Sequence, residues 1–129
     1  MLTEKQIGDL KNTLNERFFE VLEQIRQELL ASDNERYIEL AGQVHDREEE
    51  SVADVLVDVQ LASIDRHVQE VRDIDAALSR IAVGSYGVCV DCENAIALDR
   101  LSVYPTAKRC RPCQAEYEAR QAHITTPSL

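Results

Sequence analysis

Four cysteines occur in two closely spaced pairs near the carboxyl end of the chain. Two residues separate Cys89 from Cys92 and Cys110 from Cys113, and seventeen residues lie between the pairs. Each pair places two sulfurs on one side of a tight turn, and two such pairs complete a tetrahedron at about 2.3 Å from a Zn²⁺ ion. Four thiolates leave no coordination position for water or substrate. The spacing therefore predicts one structural zinc ion bound by all four cysteines.

Other uses of paired cysteines compete with this prediction. Disulfides are uncommon in a reducing compartment. A redox pair of thioredoxin type would accompany a βαβ unit, for which the sequence shows no pattern. An iron centre with four thiolate ligands requires the same residues, so the spacing alone leaves iron open beside zinc.

The remaining residues suggest no catalytic chemistry. The three histidines, His45, His67 and His123, do not form a ligand pair, and we expect each to be an ordinary surface residue. The sequence shows no Ser/His/Asp set and no glycine-rich loop that could hold a phosphate. We therefore expect that the protein is not an enzyme.

The composition favours long helices and an acidic surface. Charged residues make up 29%, while the chain has no Trp, 4 Gly and 3 Pro. No apolar run is long enough to cross a membrane or to act as a signal, so we expect a cytoplasmic protein without membrane contact. The net charge of −10 falls entirely on residues 1–84. Phosphate backbones would repel that segment, so we expect no direct nucleic-acid binding, although solubility explains the acidity equally well.

Two apolar stripes with the period of an α-helix precede the cysteines. The first stripe follows a capping-box pattern at Thr3 and Gln6. It fades at residues 32–34, so the pattern fits either one helix to about residue 41 or two separate helices. The second predicts a helix over residues 46–83, about 57 Å long at about 1.5 Å per residue, ended by Gly84. The stripe positions are Ile7, Leu10, Leu14, Phe18, Val21, Ile25 and Leu29, then Val57, Leu61, Ile64, Val68, Val71 and Leu78.

Two stripes joined by a short turn are best buried against each other. The predicted fold is mainly α: a long antiparallel coiled-coil hairpin over residues 1–84, with its tip at about 42–49. A C4 zinc-finger module with a short C-terminal helix follows over residues 85–122, and residues 123–129 form a flexible tail. We expect that helix to pack on the finger through Ala115, Tyr117 and Ala119. A monomer is predicted, with a coiled-coil dimer as the alternative.

The residues around the cysteines resemble the C4 zinc finger of the DksA/TraR family. Glu93 departs from the family pattern, since relatives usually carry glycine there, and we expect this to alter a turn rather than metal binding. The acidic hairpin is similar to that family's coiled coil in length and placement, and the resemblance covers about residues 35–120. The matching residues are Tyr86, Gly87, Cys89, Cys92, Ile96, Arg100, Leu101, Pro105, Cys110 and Cys113.

The resemblance implies a transcription regulator that binds RNA polymerase and inserts its coiled-coil tip into the secondary channel. Relatives carry Asp-x-x-Asp-x-Ala at the tip, and the matching residues here are Asp46, Glu49 and Ser51. A three-residue shift would instead pair Gln43 with Asp46. Asp46 and Glu49 are the predicted partner-binding residues, although both also suit a helix start. The alternative function is a binding module of this fold with a non-regulatory role or a different protein partner.

The resemblance also predicts a weak or absent response to the alarmone ppGpp. Relatives use basic residues on the second coil helix and just after the last cysteine, where this chain has Asp73 and Gln114. Arg66 matches a third basic position. With one contact kept and two lost, a multiply charged phosphate ligand would be poorly neutralised.

Overall fold

The computed structural model describes residues 1–44, 56, 59 and 61–125. Five helices occur in that part of the chain, and the only β pairing there is an isolated antiparallel bridge between Val88 and Ala95. The mainly α fold is therefore confirmed. The helices are α1 Glu4–Ala31, α2 Glu35–Gln43, α3 Ala62–Val83, α4 Leu98–Val103 and α5 Arg111–Thr125. The predictions at His45, Asp46, Glu49 and Ser51 lie outside the described residues.

The first apolar stripe forms two helices rather than one. The predicted capping box starts α1: the Gln6 N–H donates to Thr3 Oγ1 at 3.1 Å, and the Thr3 N–H donates to Gln6 Oε1 at 2.9 Å. The helix ends where Ser32 turns extended, at φ −74° and ψ 153°. Asn34 then caps α2 by accepting the Arg36 N–H at 2.9 Å. Serine and asparagine favour cap positions over helix interiors, so Ser32 and Asn34 account for the break between the two helices.

The predicted continuous helix over residues 46–83 is wrong. Leu61 is extended at φ −119° and ψ 114°, and α3 begins only at Ala62. The apolar period runs through this position, but four valines lie between residues 52 and 59. β-branched side chains lose rotamer freedom in a helix, so local propensity opposes the period there. The predicted end is confirmed: Gly84 adopts φ 81°, and the Ser85 N–H donates to the Arg80 carbonyl at 2.9 Å.

The α1–α3 stem, defined as these two helices, is antiparallel and holds most of the core. α1 packs against both α3 and α2. Arg17 Nη2 donates to Glu70 Oε2 at 3.0 Å, and Glu28 Oε1 lies 3.2 Å from His67 Nδ1, so numbers rise along α1 as they fall along α3. His67 is thus a half-buried interhelical residue rather than an ordinary surface one. The buried residues of the stem are Leu10, Leu14, Phe18, Val21, Leu22, Ile25, Leu29, Ile64, Val71, Ile74 and Ala77.

The finger is attached to the stem by a few directed contacts. Arg80 Nη2 on α3 donates to the Thr106 carbonyl of the finger at 3.3 Å. Within the finger, the Tyr86 hydroxyl donates to the Pro105 carbonyl at 2.8 Å, and burial of Tyr86, which outweighs the charge of Arg80, raises its pKa to about 12. Gly87 adopts φ 82°, and a Cβ atom there would lie 2.7 Å from Leu2 Cδ1. The backbone conformation favours glycine at residue 87, and a larger residue would also force the Leu2 side chain to shift.

The expected packing of the C-terminal helix is largely wrong. Ala115 and Ala119 are exposed, and only Tyr117 of the three predicted residues is partly buried. Among residues 111–122, the partly buried side chains of α5 are Cys113, Gln114 and Tyr117, all in its first two turns. The helix runs beyond the expected end at residue 122 because no Gly or Pro occurs before Pro127. Among the described helices, none combines the length and apolar character that crossing a bilayer requires.

Candidate functional site

Two short backbone turns position the four cysteines. In the first, the Cys89 N–H donates to the Asn94 carbonyl at 2.8 Å, and the Glu93 N–H donates to the Cys89 carbonyl at 3.0 Å. In the second, Cys110 directly precedes α5, and its carbonyl accepts the Gln114 N–H at 2.9 Å. A hydrogen bond of 2.9 Å from the Val90 N–H to the Lys108 carbonyl joins the two turns. The backbone therefore brings two pairs that are distant in sequence to one place.

The four sulfurs have the geometry of a tetrahedral metal site. The Sγ atoms of Cys89, Cys92, Cys110 and Cys113 all lie within 4.8 Å of one another. The Cys92 and Cys110 sulfurs are 3.7 Å apart, close to the edge of about 3.8 Å that follows from zinc–sulfur bonds of about 2.3 Å. This is the only cluster of metal-ligating side chains among the described residues. The residues that the spacing predicted are thus brought together as ligands.

The surroundings of the sulfurs favour thiolates that share a cation. Burial opposes ionisation of Cys89, but backbone N–H groups of Cys92, Cys110 and Asp91 outweigh it and lower its pKa to about 6. The neighbouring Cys110 sulfur raises the pKa of Cys113. Four negative charges this close together repel one another, so all four ionise only around a positive ion.

Arg109 connects the two cysteine turns to α5. Its Nε donates to Asp91 Oδ2 at 2.8 Å, and its guanidinium lies 4.0 Å from the centre of the Tyr117 ring. Arg100 Nε donates to the Arg109 carbonyl at 3.0 Å. The sequence had marked Arg100 through the resemblance but missed Arg109 and Asp91, whose only signal was their position beside a cysteine. These contacts orient the turns around the metal rather than bind it.

Glu93, which stands where relatives usually carry glycine, has a backbone conformation that favours glycine. Glu93 adopts φ 64°, the left-handed conformation, and is the only non-glycine residue with positive φ in the described ranges. Glycine reaches this conformation without the steric cost that a Cβ atom adds. The turn therefore keeps the conformation that glycine favours, although the side chain differs from the family pattern.

Glu93→Gly is expected to raise the free energy of unfolding of the zinc-loaded protein by about 1 kcal/mol, since it relieves left-handed strain. Urea unfolding with zinc present throughout measures the change. Asn94→Gly is the matched control, because Asn94 has no positive φ and glycine there should lower stability. Destabilisation by both variants would contradict the strain at residue 93.

A second feature lies where α3 meets the finger. A cleft of about 330 Å³ is lined by Asp73, Arg80, Lys108, Arg109, Gln114 and Tyr117, among others. Asp73 and Gln114, which the alarmone prediction named from distant parts of the sequence, thus line one cleft, whereas Arg66 is not among its lining residues. Burial lowers the pKa of Arg80, and the charge of Asp73 opposes that shift. The cleft therefore carries its own carboxylate beside its basic groups.

Comparison with known proteins gives one consistent result. Residues 84–119 match the family described as the prokaryotic dksA/traR C4-type zinc finger. The RNA polymerase-binding transcription factor DksA of Caulobacter vibrioides is 27% identical over 122 residues, which cover 93% of this chain and 81% of that protein. An uncharacterised protein of Aquifex aeolicus is 34% identical over 79 residues, and this chain spans about half of it, 49%.

A solved structure extends the likeness to the whole fold. Transcription factor DksA2 from Pseudomonas aeruginosa superposes with a TM-score of 0.61 at 27% identity, covering 93% of this chain and 88% of that one. The sulfur geometry fits one tetrahedral ion, and the match to a C4-type zinc finger identifies it as structural zinc rather than the iron that the spacing had left open.

Proposed function

We propose that this chain, which belongs to the DksA/TraR family of C4 zinc-finger proteins, is a transcription regulator that binds RNA polymerase. The likeness to DksA2 carries the proposal, because it includes both the finger and the helical segment over 93% of the chain. A finger match alone would leave the partner unspecified, since a fold hosts many functions.

The finger and the stem have separate roles in this proposal. The zinc holds the two cysteine turns rigid, and the hydrogen bond from Arg80 on α3 to the Thr106 carbonyl helps to fix the finger against the stem. The acidic helical segment then enters the secondary channel of the polymerase. Asp46 and Glu49 supply carboxylates near the active site, where they alter the lifetime of promoter complexes. We further propose that the regulator acts as a cytoplasmic monomer.

Co-purification of tagged protein with core RNA polymerase, with zinc measured in the same sample, tests this proposal. Polymerase in stoichiometric amount with one zinc per chain is the expected result. Polymerase absent from a zinc-loaded sample would reject the proposal and favour a binding module with another protein partner.

Asp46→Ala and Glu49→Ala are expected to remove the effect on transcription from a responsive promoter while binding to polymerase persists. Loss of a carboxylate that acts only inside the channel changes the regulated step, not the affinity set by the finger and stem. Run-off transcription and fluorescence-detected binding measure the two properties separately. Glu48→Ala and Glu50→Ala are the matched controls, since they remove the same charge at neighbouring positions. Transcription unchanged in both test variants would contradict a role for the tip.

The second candidate function is a family member that occupies polymerase without regulating it. The altered tip favours this candidate, because Glu49 and Ser51 stand where relatives carry aspartate and alanine. It predicts that the wild-type protein binds polymerase fully but leaves transcription unchanged. The same two assays distinguish it from the proposed regulator.

We also propose that regulation by this chain does not require ppGpp. Asp73 places a negative charge in the cleft between α3 and the finger, and Gln114 brings no positive charge to it. Of the basic residues that line it, Arg80 donates to the Thr106 carbonyl and Arg109 to Asp91, so a ligand with several phosphates would have to compete with these contacts for charge-assisted donors.

A further inference from the structure

A groove of about 300 Å³ lies where α1, α3 and residues 102–106 of the finger meet. Leu14 on α1 and Ile74 on α3 line it and are each 1% exposed, so they form an apolar floor. Val103 and Tyr104 line it at the end of α4 and are 72% and 61% exposed, so they form an apolar rim. The groove is therefore an accessible apolar surface to which both the stem and the finger contribute.

Hydrogen bonds hold the exposed rim in place. The Tyr104 N–H donates to the Arg100 carbonyl at 2.7 Å, and the Arg100 guanidinium lies 5.9 Å from the centre of the Tyr104 ring. The carbonyls of the next two residues, Pro105 and Thr106, accept side-chain hydrogen bonds at 2.8 Å and 3.3 Å. A fixed backbone, rather than a loose loop, therefore holds Val103 and Tyr104 toward solvent. Apolar surface kept in water is unfavourable, so covering this rim would stabilise a complex.

A charged cluster borders the groove on its stem side. Arg17 and Glu70 line the groove, and Arg17 Nη2 donates to Glu70 Oε2 at 3.0 Å. Arg17 Nη1 donates to Glu20 Oε2 at 3.2 Å, and the Glu20 side chain is 64% exposed. Two carboxylates around one guanidinium leave this cluster with an excess negative charge, and its most accessible carboxylate is that of Glu20. The cluster therefore favours a partner that brings a basic group to this side.

The wider charge distribution favours the same partner. Residues 1–84, which supply the stem side of the groove, carry the whole net charge of −10, and residues 85–129 carry none. A basic surface is attracted to the stem over a longer range than direct contact, and an acidic surface is repelled. The occupant that fits both the apolar floor and this charge is a protein segment with an apolar side chain next to a lysine or arginine.

We propose that this groove docks such a segment of RNA polymerase, with its apolar side chain between Leu14, Ile74 and Val103 and its basic group beside Glu20. The proposal rests on the proposed function, because polymerase is the partner named there. This contact supplies affinity where the finger meets the stem, separately from the carboxylates proposed to act in the channel. A variant of the groove should therefore weaken binding itself, in contrast to the variants at Asp46 and Glu49.

The affinity of full-length, zinc-loaded variants for core RNA polymerase, measured by fluorescence, tests the groove. Val103→Glu is expected to weaken binding about tenfold, because it places a carboxylate on the apolar rim. Glu20→Lys is expected to weaken it about threefold to tenfold, because it repels the basic group of the partner. Val83→Glu and Glu116→Lys are the matched controls, since both residues are exposed and neither lines the groove. Unchanged affinity in both test variants, or equal losses in the controls, would overturn the docking site.

Photo-crosslinking identifies the occupant. p-Benzoylphenylalanine at Ser102, an exposed residue that lines the groove, should crosslink to a polymerase peptide that contains lysine or arginine. The same group at Ser79, exposed on α3 outside the groove, should give little product. A crosslink from Ser102 to a second copy of this chain, or a polymerase complex without a crosslink, would overturn this occupant while the proposed function stands. Wild-type protein that fails to bind polymerase would reject both proposals together.

Discussion

Cys89→Ser is expected to abolish stoichiometric zinc binding and to unfold the finger, while the α1–α3 stem stays helical. Cys89 is the most buried of the four ligands, 1% exposed, and backbone N–H groups surround its sulfur. Structural zinc contributes about 10–16 kcal/mol to the folding of small domains. The finger core has few large apolar side chains to replace that contribution, principally Tyr86, Ile96 and Leu101.

Metal analysis and amide hydrogen exchange measure this prediction. Amides of residues 85–113 should lose protection, and those of α1 and α3 should keep most of theirs. Val90→Ser is the matched control: it puts the same side chain one position along, at a residue that is 50% exposed and whose hydrogen bond to Lys108 uses only its backbone. A finger that stayed protected without metal would show that its fold does not depend on zinc.

Asp73→Lys combined with Gln114→Lys is expected to create a ppGpp site, since we propose that the wild-type chain responds weakly or not at all to ppGpp. Both residues line the cleft that already contains Arg80 and Lys108. The exchange replaces a repelling carboxylate and adds a second cation. A hydrogen bond to a charged group is worth about 1.5–3 kcal/mol, so each new contact should tighten binding about tenfold to a hundredfold.

Binding of labelled ppGpp to the complex of each variant with core polymerase measures this effect. The polymerase used should have its own alarmone site disabled by mutation, so that only the cleft contributes. Asp65→Lys is the control, because it makes the same charge change at an exposed position on α3 outside the lining of the cleft. Equal affinity in the wild-type complex and the double variant would contradict the role assigned to Asp73 and Gln114.

The metal centre was predictable from sequence because its information is local. Each cysteine pair forms its own turn, so the spacing within a pair already determines where two sulfurs point. The capping box at Thr3 and Gln6 and the end of α3 at Gly84 are local in the same sense, and both were confirmed. Likewise the stripe from Leu10 to Leu29 needed only the period of 3.6 residues to identify the buried face of α1.

Other features could not be obtained from the apolar period. It predicted a helix through Leu61, but that residue is extended and α3 starts after it, because the period describes a face and says nothing of the local β-branched propensity that opposes a helix there. Ala115 and Ala119 lie on α5, yet both are exposed. A position on a helix does not by itself show whether another segment covers it.

By itself the sequence determined the zinc ligands, the helical class and the two apolar faces, because turns, caps and helical periodicity act over a few residues. Only the tertiary structure decided that Asp73 and Gln114 share a cleft and that Arg109 ties both cysteine turns to Tyr117. Each of these joins residues far apart in the chain. Their proximity follows from the antiparallel register of α1 and α3 and from the docking of the finger, which no short stretch of sequence encodes.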